Sequence, residues 1–134
     1  MNILLDTHII LWALLEDSKL PLKAKELIEN DRSNIFYSII SLWEIEIKHV
    51  AHPNQLKLSA NEVDEYCKES GFIMLPLKPP SIHLLSTLKR PDNAPNHKDP
   101  FDRMLICQSL SENMSFITHD RLIGDYNLPN IITV

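Results

Sequence analysis

Four acidic residues occupy positions from which a fold can bring them together. Asp6 and Asp120 follow short apolar runs, whereas Glu44 and Asp102 lie near the starts of helical patterns. Carboxylate oxygens are the ligands that Mg²⁺ and Mn²⁺ prefer, and such ions keep several waters for a substrate. One or two of these ions can activate water and stabilise in-line displacement at a phosphodiester. The residue types therefore indicate metal-dependent phosphodiester chemistry, with Asp99 as a fifth candidate ligand.

Gathering these acids has an electrostatic consequence. Two carboxylates about 5 Å apart repel by about 3 kcal/mol at an effective dielectric constant of roughly 20. Four together cannot all stay ionised without a cation, so some of their pKa values must rise. The chain carries a net charge of −5, which four neutralised acids would bring near zero. The acidic balance therefore does not exclude a nucleic acid as substrate.

Apolar runs and helical spacing predict the elements that must position the acids. Ile3-Leu4-Leu5 has the pattern of a buried strand that stops at Asp6. Strands are predicted over 3–5, 35–37, 72–75, 115–118 and 131–134, and helices over 8–15, 22–30, 40–52, 59–71, 79–88 and 99–113, with a helical turn near 122. Three prolines mark the segment 90–100 as a loop.

Strands that alternate with helices favour parallel pairing with crossover helices. We therefore predict an α/β fold: a three-layer α/β/α sandwich around a short, mainly parallel sheet of about five strands, built as one domain over 1–134. In such a sheet the carboxyl ends of the strands and the starts of the helices lie along one edge, where ligands bind. The four acids are expected to converge at that edge.

One predicted helix has a clear apolar face. Ile40, Trp43, Ile47 and Val50 share a side of the helix over 40–52. Trp12 and Trp43 both sit among apolar residues at helical spacing. That setting favours core or dimer packing over stacking on nucleic-acid bases.

Composition excludes several other classes of protein. With 134 residues, 44% hydrophobic and 23% charged, the chain is typical of one globular domain and not of a disordered protein. Its two glycines leave no room for a GxGxxG fingerprint or a P-loop. The apolar stretch at 3–15 is too short to span a bilayer, so no membrane association is expected. Cys67 and Cys107 indicate a reduced cytoplasmic protein with inert thiols.

Each acid also has an ordinary structural explanation. Asp6, Asp99 and Asp120 are well placed to cap the helices that follow them. Glu44 precedes Lys48 by four residues, the spacing of a common helix salt bridge. The histidines show no HExxH or Cys-His spacing, so a zinc site is not expected.

Four segments together resemble the motifs of a known family, the PIN domains, and more narrowly the VapC-type ribonuclease toxins of toxin–antitoxin modules. The segments are Leu4-Leu5-Asp6-Thr7-His8, Ser41-Leu42-Trp43-Glu44-Ile45, His97-Lys98-Asp99-Pro100-Phe101-Asp102-Arg103 and Ile117-Thr118-His119-Asp120. The Asp-Pro-Phe-Asp-Arg block is the most specific part of the resemblance. The resemblance covers essentially the whole chain, and the motifs occur in the usual order.

The resemblance implies an endoribonuclease that depends on Mg²⁺ or Mn²⁺ and has a four-acid site. Carried over by position, the family's four acids correspond to Asp6, Glu44, Asp102 and Asp120, its accessory acid to Asp99, and the positions that often orient the carboxylates to Thr7 and Thr118. Family members commonly form homodimers and are silenced by a small antitoxin whose C-terminal segment fills the active-site groove. The implied partners are therefore an RNA substrate, a cognate antitoxin and a second copy of the chain.

Within that site we expect a division of roles. Asp6 and Asp102 hold the principal metal, with Glu44 and Asp120 completing the site and Glu44 as first candidate to accept a proton. Lys48 and Arg103 are near these acids in sequence, where they contact either substrate phosphate or the acids themselves; both interpretations stay open.

Two other functions remain as alternatives. One is a non-catalytic α/β module that binds RNA or protein, in which the acids serve only as caps. The other is a phosphohydrolase of the phosphoaspartate type or a receiver domain. The phosphohydrolase needs a second acid two residues after Asp6, where the chain has His8, and the receiver needs an acidic pair that is absent.

Overall fold

The computed structural model describes residues 1–134 and contains one five-stranded sheet. Its strands are β1 (Asn2–Leu5), β2 (Asn34–Ser38), β3 (Ile73–Leu75), β4 (Ser115–Thr118) and β5 (Ile131–Thr133). They lie in the order β3-β2-β1-β4-β5, and every neighbouring pair is parallel. The predicted α/β class and parallel sheet are confirmed. All carboxyl ends of the strands consequently lie along one edge.

Seven helices connect or flank the strands. They are α1 (Thr7–Leu14), α2 (Leu22–Glu29), α3 (Ile39–Ala51), α4 (Ala60–Glu69), α5 (Pro79–His83), α6 (Pro100–Ser111) and α7 (Arg121–Gly124). The helix predicted over 79–88 is wrong in length, because α5 gives way to a 3-10 turn at Leu84–Thr87. There the Thr87 hydroxyl donates to the Leu84 carbonyl at 2.7 Å, a local bond that competes with continued α-helix.

The sheet separates two apolar cores, which makes the structure three-layered. Successive residues of a strand point to opposite faces, so Ile3 and Leu5 enter one core while Leu4 enters the other. The first core includes Ile9 of α1, and the second includes Leu105 of α6. The three buried residues of the central strand β1 are therefore all apolar, as expected for a strand buried on both faces.

Helix α3 is oriented differently from what its apolar face suggests. Trp43 is 59% exposed, so of the two predicted kinds of packing, core packing is wrong for this residue and dimer packing stays a prediction. Ile47 and Val50 are also exposed. The buried side of the helix instead carries Glu44 and Ile45. This orientation places a carboxylate, and not the tryptophan, against the interior.

Ser38 links the two helices that carry Glu44 and Asp102. Its hydroxyl caps α3 by accepting from Ile40 N at 2.9 Å and donates to Gln108 Oε1 of α6 at 2.5 Å. Ser38→Ala removes the cap and leaves Gln108 Oε1 without its hydrogen bond. We therefore expect the free energy of unfolding to fall by about 2 kcal/mol. Urea unfolding measures the loss. Ser18→Ala at an exposed site is the control, and equal stabilities of the two variants would contradict this role for Ser38.

Both cysteines are unpaired and fully buried, as expected of structural thiols. Burial raises the pKa of the Cys67 thiol to about 12, which keeps it protonated and unreactive. None of the helices combines the length and apolar character that crossing a bilayer requires.

Candidate active site

Asp6 stands where β1 passes into α1, at the carboxyl edge of the sheet. It is 4% exposed, and both carboxylate oxygens accept hydrogen bonds: Oδ1 from Thr7 N and Oδ2 from Thr118 Oγ1, each at 2.8 Å. Burial raises the pKa of Asp6 to about 6 despite these bonds. Asp6 therefore caps α1 as predicted, and its carboxylate is buried at the carboxyl edge of the sheet.

Glu44 lies beside Asp6 in the same polar network. Its Oε1 accepts from the Thr7 hydroxyl at 2.8 Å, and its Oε2 pairs with Lys48 Nζ at 2.7 Å. Since the single Thr7 hydroxyl proton goes to Glu44, the Ser41 hydroxyl at 2.9 Å donates to Thr7. The helix salt bridge predicted for Lys48 is therefore present.

Lys48 also reports on the wider charge of the site. Its burial lowers the lysine pKa, but the hydrogen bond to Glu44 and the negative charges of Glu44, Asp99 and Asp102 outweigh that effect and raise it. The ammonium is thus held charged at the margin of the acids.

Thr118 connects Asp6 to Asp120. While its hydroxyl donates to Asp6, the same oxygen accepts from Asp120 N at 3.0 Å. The Asp120 carboxylate accepts from Leu122 N at 2.8 Å and caps α7, as predicted. Each of the two threonines expected to orient carboxylates donates a hydrogen bond to one, Thr7 to Glu44 and Thr118 to Asp6.

Asp99 and Asp102 lie at the first turn of α6. Asp99 caps the helix by accepting from Phe101 N at 2.9 Å and Asp102 N at 3.1 Å. The pKa of Asp102 rises from 3.8 to about 8, first because the carboxyl is buried and then because four negative charges act on it. Those charges belong to Asp6, Asp99, Glu44 and Asp120. The structure thus brings all five acids into one electrostatic cluster.

His97 is part of this cluster, although sequence patterns assigned it no role beyond an unsupported zinc site. It is buried in the loop before α6, with Nε2 3.1 Å from Asp102 Oδ2 and Nδ1 2.8 Å from the Tyr126 hydroxyl. Burial and the nearby Arg90 guanidinium lower the pKa of His97. The only sequence signal for this role was its position five residues before Asp102.

Two cavities open beside the acids. One of about 250 Å³ is lined by Asp6, His8, Trp12, His119 and Asp120. The other, of about 400 Å³, includes Thr7, His8 and Lys48 in its wall. Trp12 is half-buried between the rings of His8 and His119, at 5.8 and 5.6 Å. Space for a substrate therefore exists next to Asp6 and next to Thr7.

The guanidinium of Arg103 contacts none of the acids, although its charge is near enough to His97 to contribute to the lowered pKa of that residue. The Arg103 side chain lines an apolar groove with Trp43 and Phe101, whose rings lie 5.2 Å apart, and it forms no ion pair. Lys48, by contrast, contacts Glu44 directly.

The acids fit a hard divalent cation in their donor chemistry. No three His, Cys, Asp or Glu side chains are arranged closely enough to enclose an ion as they stand. The donors are nonetheless all carboxylates, the ligands of Mg²⁺ and Mn²⁺. Burial is the first cause of the raised pKa values of Asp6 and Asp102, and for Asp102 the neighbouring acids add to it. A divalent ion would compensate the negative charge of these acids when they are ionised.

Comparison with known proteins agrees with this architecture. Residues 3–127 match the PIN domain family. A chain in the crystal structure of VapBC2 from Rickettsia felis bound to a DNA fragment from their promoter is 18% identical, with a TM-score of 0.66 over 100% of this chain and 98% of that one. No curated protein matches the sequence significantly. On the family match, which spans most of its length, the chain belongs to the PIN domain family.

Proposed function

We propose that this PIN domain is an endoribonuclease that depends on Mg²⁺ or Mn²⁺ and is the toxin of a VapC-type toxin–antitoxin pair. One observation carries the proposal: five acids, at the starts of α1, α6 and α7 and within α3, lie near enough to one another to interact electrostatically at the carboxyl edge of a parallel sheet. A purely structural use of these acids as caps gives no reason to place the buried Asp6 near the half-buried Asp102. The family match supports the same interpretation, because PIN domains are generally nucleases. The proposed nuclease domain covers residues 1–134.

The acids of the cluster have different proposed roles. Asp6 and Asp102 would hold the ion, with Glu44 and Asp120 completing the site and Asp99 fixing the start of α6. A divalent ion bound there supplies a water of lowered pKa and neutralises charge on the scissile phosphate. Glu44 is the first candidate to accept a proton, and its Oε2 forms a salt bridge with Lys48 Nζ at 2.7 Å.

Three partners follow from this proposal. The substrate is RNA, the first protein partner is an antitoxin, and the second is another copy of the chain. The similarity to a chain of the VapBC2 complex supports the antitoxin. The two buried free thiols suit a reducing compartment, so we place the protein in the cytoplasm.

Lys48 is proposed to contact a phosphate of the substrate as well as Glu44. We expect Lys48→Met to weaken RNA binding and to reduce the magnitude of its log–log salt dependence by about 0.7, the value for one single-strand phosphate contact. Binding is measured in an Asp102→Asn background so that the RNA stays intact. Lys68→Met is the matched control, because Lys68 forms the same (i, i+4) pair with Asp64 on α4. An unchanged salt slope in Lys48→Met would mean that Lys48 serves Glu44 alone.

A circular RNA tests the proposed reaction class. An endonuclease opens a circle that has no ends, whereas an exonuclease leaves it intact. Purified protein with Mn²⁺ is expected to linearise circular RNAs carrying varied loops, and to leave circular single-stranded DNA uncut. RNA binding without any cleavage across a broad pool would instead favour the non-catalytic binding module.

A further inference from the structure

A buried histidine joins one acid of the cluster to a second element of the fold. His97 lies between the Asp102 carboxylate and the Tyr126 hydroxyl, at 3.1 and 2.8 Å. Its side chain is 3% exposed, and its ring meets that of Tyr126 edge-on at 5.4 Å. Both ring nitrogens therefore have defined protein partners.

The donors and acceptors in the hydrogen bonds that join Asp102, His97 and Tyr126 can be assigned from their chemistry. An ionised carboxylate only accepts hydrogen bonds, so a ligating Asp102 requires a proton on His97 Nε2. In the neutral ring Nδ1 is then an acceptor, and the Tyr126 hydroxyl is the group that donates to it. Tyr126 thereby fixes the tautomer that His97 needs in order to donate to Asp102.

Arg90 connects Tyr126 and the loop that bears His97 to α7, the helix that Asp120 caps. Its guanidinium lies 4.6 Å above the centre of the Tyr126 ring. It also donates to the Leu122 carbonyl of α7 and to the Pro95 carbonyl of the loop, both at 2.6 Å. The loop that bears His97 is thus tied to the element that bears Asp120.

We propose that His97 is a positioning residue, which fixes the orientation of the Asp102 carboxylate for the divalent ion by donating from Nε2 while Tyr126, itself packed under Arg90, holds the His97 ring. The inference deepens the proposed function and rests on it. Side chains that orient metal ligands contribute strongly, since their loss lowers metal affinity about 10–100-fold in known sites. His97 therefore acts through Asp102 and touches neither substrate nor ion.

Calorimetric titration of the full chain with Mn²⁺ alone tests this role without any RNA. The variants are His97→Phe, which keeps a ring but loses both nitrogens, His97→Gln, which retains an amide donor, and Tyr126→Phe, which loses only the hydroxyl. His83→Phe changes an exposed histidine outside the site and is the control. Circular dichroism and melting without metal show that each variant is folded. If His97→Phe fails to fold, the other two variants still decide the question.

We expect His97→Phe to weaken Mn²⁺ binding about 10–100-fold, with His97→Gln recovering part of the loss and Tyr126→Phe losing less than His97→Phe. The control should bind as tightly as wild type. Wild-type affinity in His97→Phe, or a His97→Gln as weak as His97→Phe, would overturn the positioning role while leaving the metal site in place. If His97→Phe does not fold, wild-type affinity in both His97→Gln and Tyr126→Phe would overturn the positioning role. Failure of the wild type to bind Mn²⁺ would overturn the metal site and this inference together.

Discussion

Asp102→Asn is expected to lower RNA cleavage at least about 1000-fold while leaving the protein folded. The variant removes a proposed metal ligand and one negative charge, but it keeps the size and shape of the side chain. A loss of this size corresponds to about 4 kcal/mol of transition-state stabilisation. Cleavage rates under single-turnover conditions measure it. Asp92→Asn, on the exposed loop and outside the cluster, is the control and should cleave normally.

The same substitution should make the metal-free protein more stable. The Asp102 carboxyl has a pKa of about 8 in the folded state against an ordinary value of 3.8, so the folded chain binds a proton that the unfolded chain releases. The contribution of Asp102 to wild-type stability without metal therefore falls as the pH rises from about 4 to about 8. At pH 7 Asp102→Asn avoids this loss, and we expect a gain of about 1–2 kcal/mol with a flatter pH dependence. A variant that is fully active, or clearly less stable at pH 7, would contradict the assignment.

Mn²⁺ is expected to raise the melting temperature of the wild-type protein by about 10 °C at a concentration 100 times its dissociation constant. An ion that binds only the folded state stabilises it by about 2.7 kcal/mol at that concentration. For a chain of this length, 1 kcal/mol shifts the melting temperature by about 3–4 °C. Differential scanning calorimetry with and without EDTA measures the shift.

Two controls separate a specific site from general screening by salt. NaCl at matched ionic strength should give a much smaller shift, because it screens the acids without bridging them. Asp6→Asn should lose most of the Mn²⁺ response, since it removes a proposed ligand from the centre of the cluster. An equal response in Asp6→Asn and wild type would place the stabilising ion elsewhere.

Much of this architecture follows from local sequence patterns. The apolar run before Asp6 and the one before Asp120 predict two strands, and alternation with helices predicts parallel pairing. Parallel order then brings the acids that follow those strands to one edge, as the structure shows. The caps formed by Asp6, Asp99 and Asp120 were also predictable, because capping depends on the few residues next to each helix end. The catalytic role of these acids stays a prediction.

Other features depend on contacts that are distant in sequence. Periodicity defines an apolar face on α3, but it does not determine whether that face or the one bearing Glu44 is buried. The partner of His97 is Tyr126, 29 residues away and on the far side of β4 in the chain, so no local pattern indicates their contact. Arg103 follows Asp102 directly and lines the groove beside Trp43 and Phe101, so its proposed contact with substrate phosphate stays a prediction.

One cleavage experiment tests the central claim that the carboxylate cluster and a divalent ion together hydrolyse RNA. The same RNA is incubated with wild type and Mn²⁺, with wild type and EDTA, and with Asp102→Asn and Mn²⁺. We predict cleavage only in the first sample, and its return when excess Mn²⁺ is added to the EDTA sample. Cleavage that persists in EDTA, or that Asp102→Asn performs at the wild-type rate, would contradict the claim.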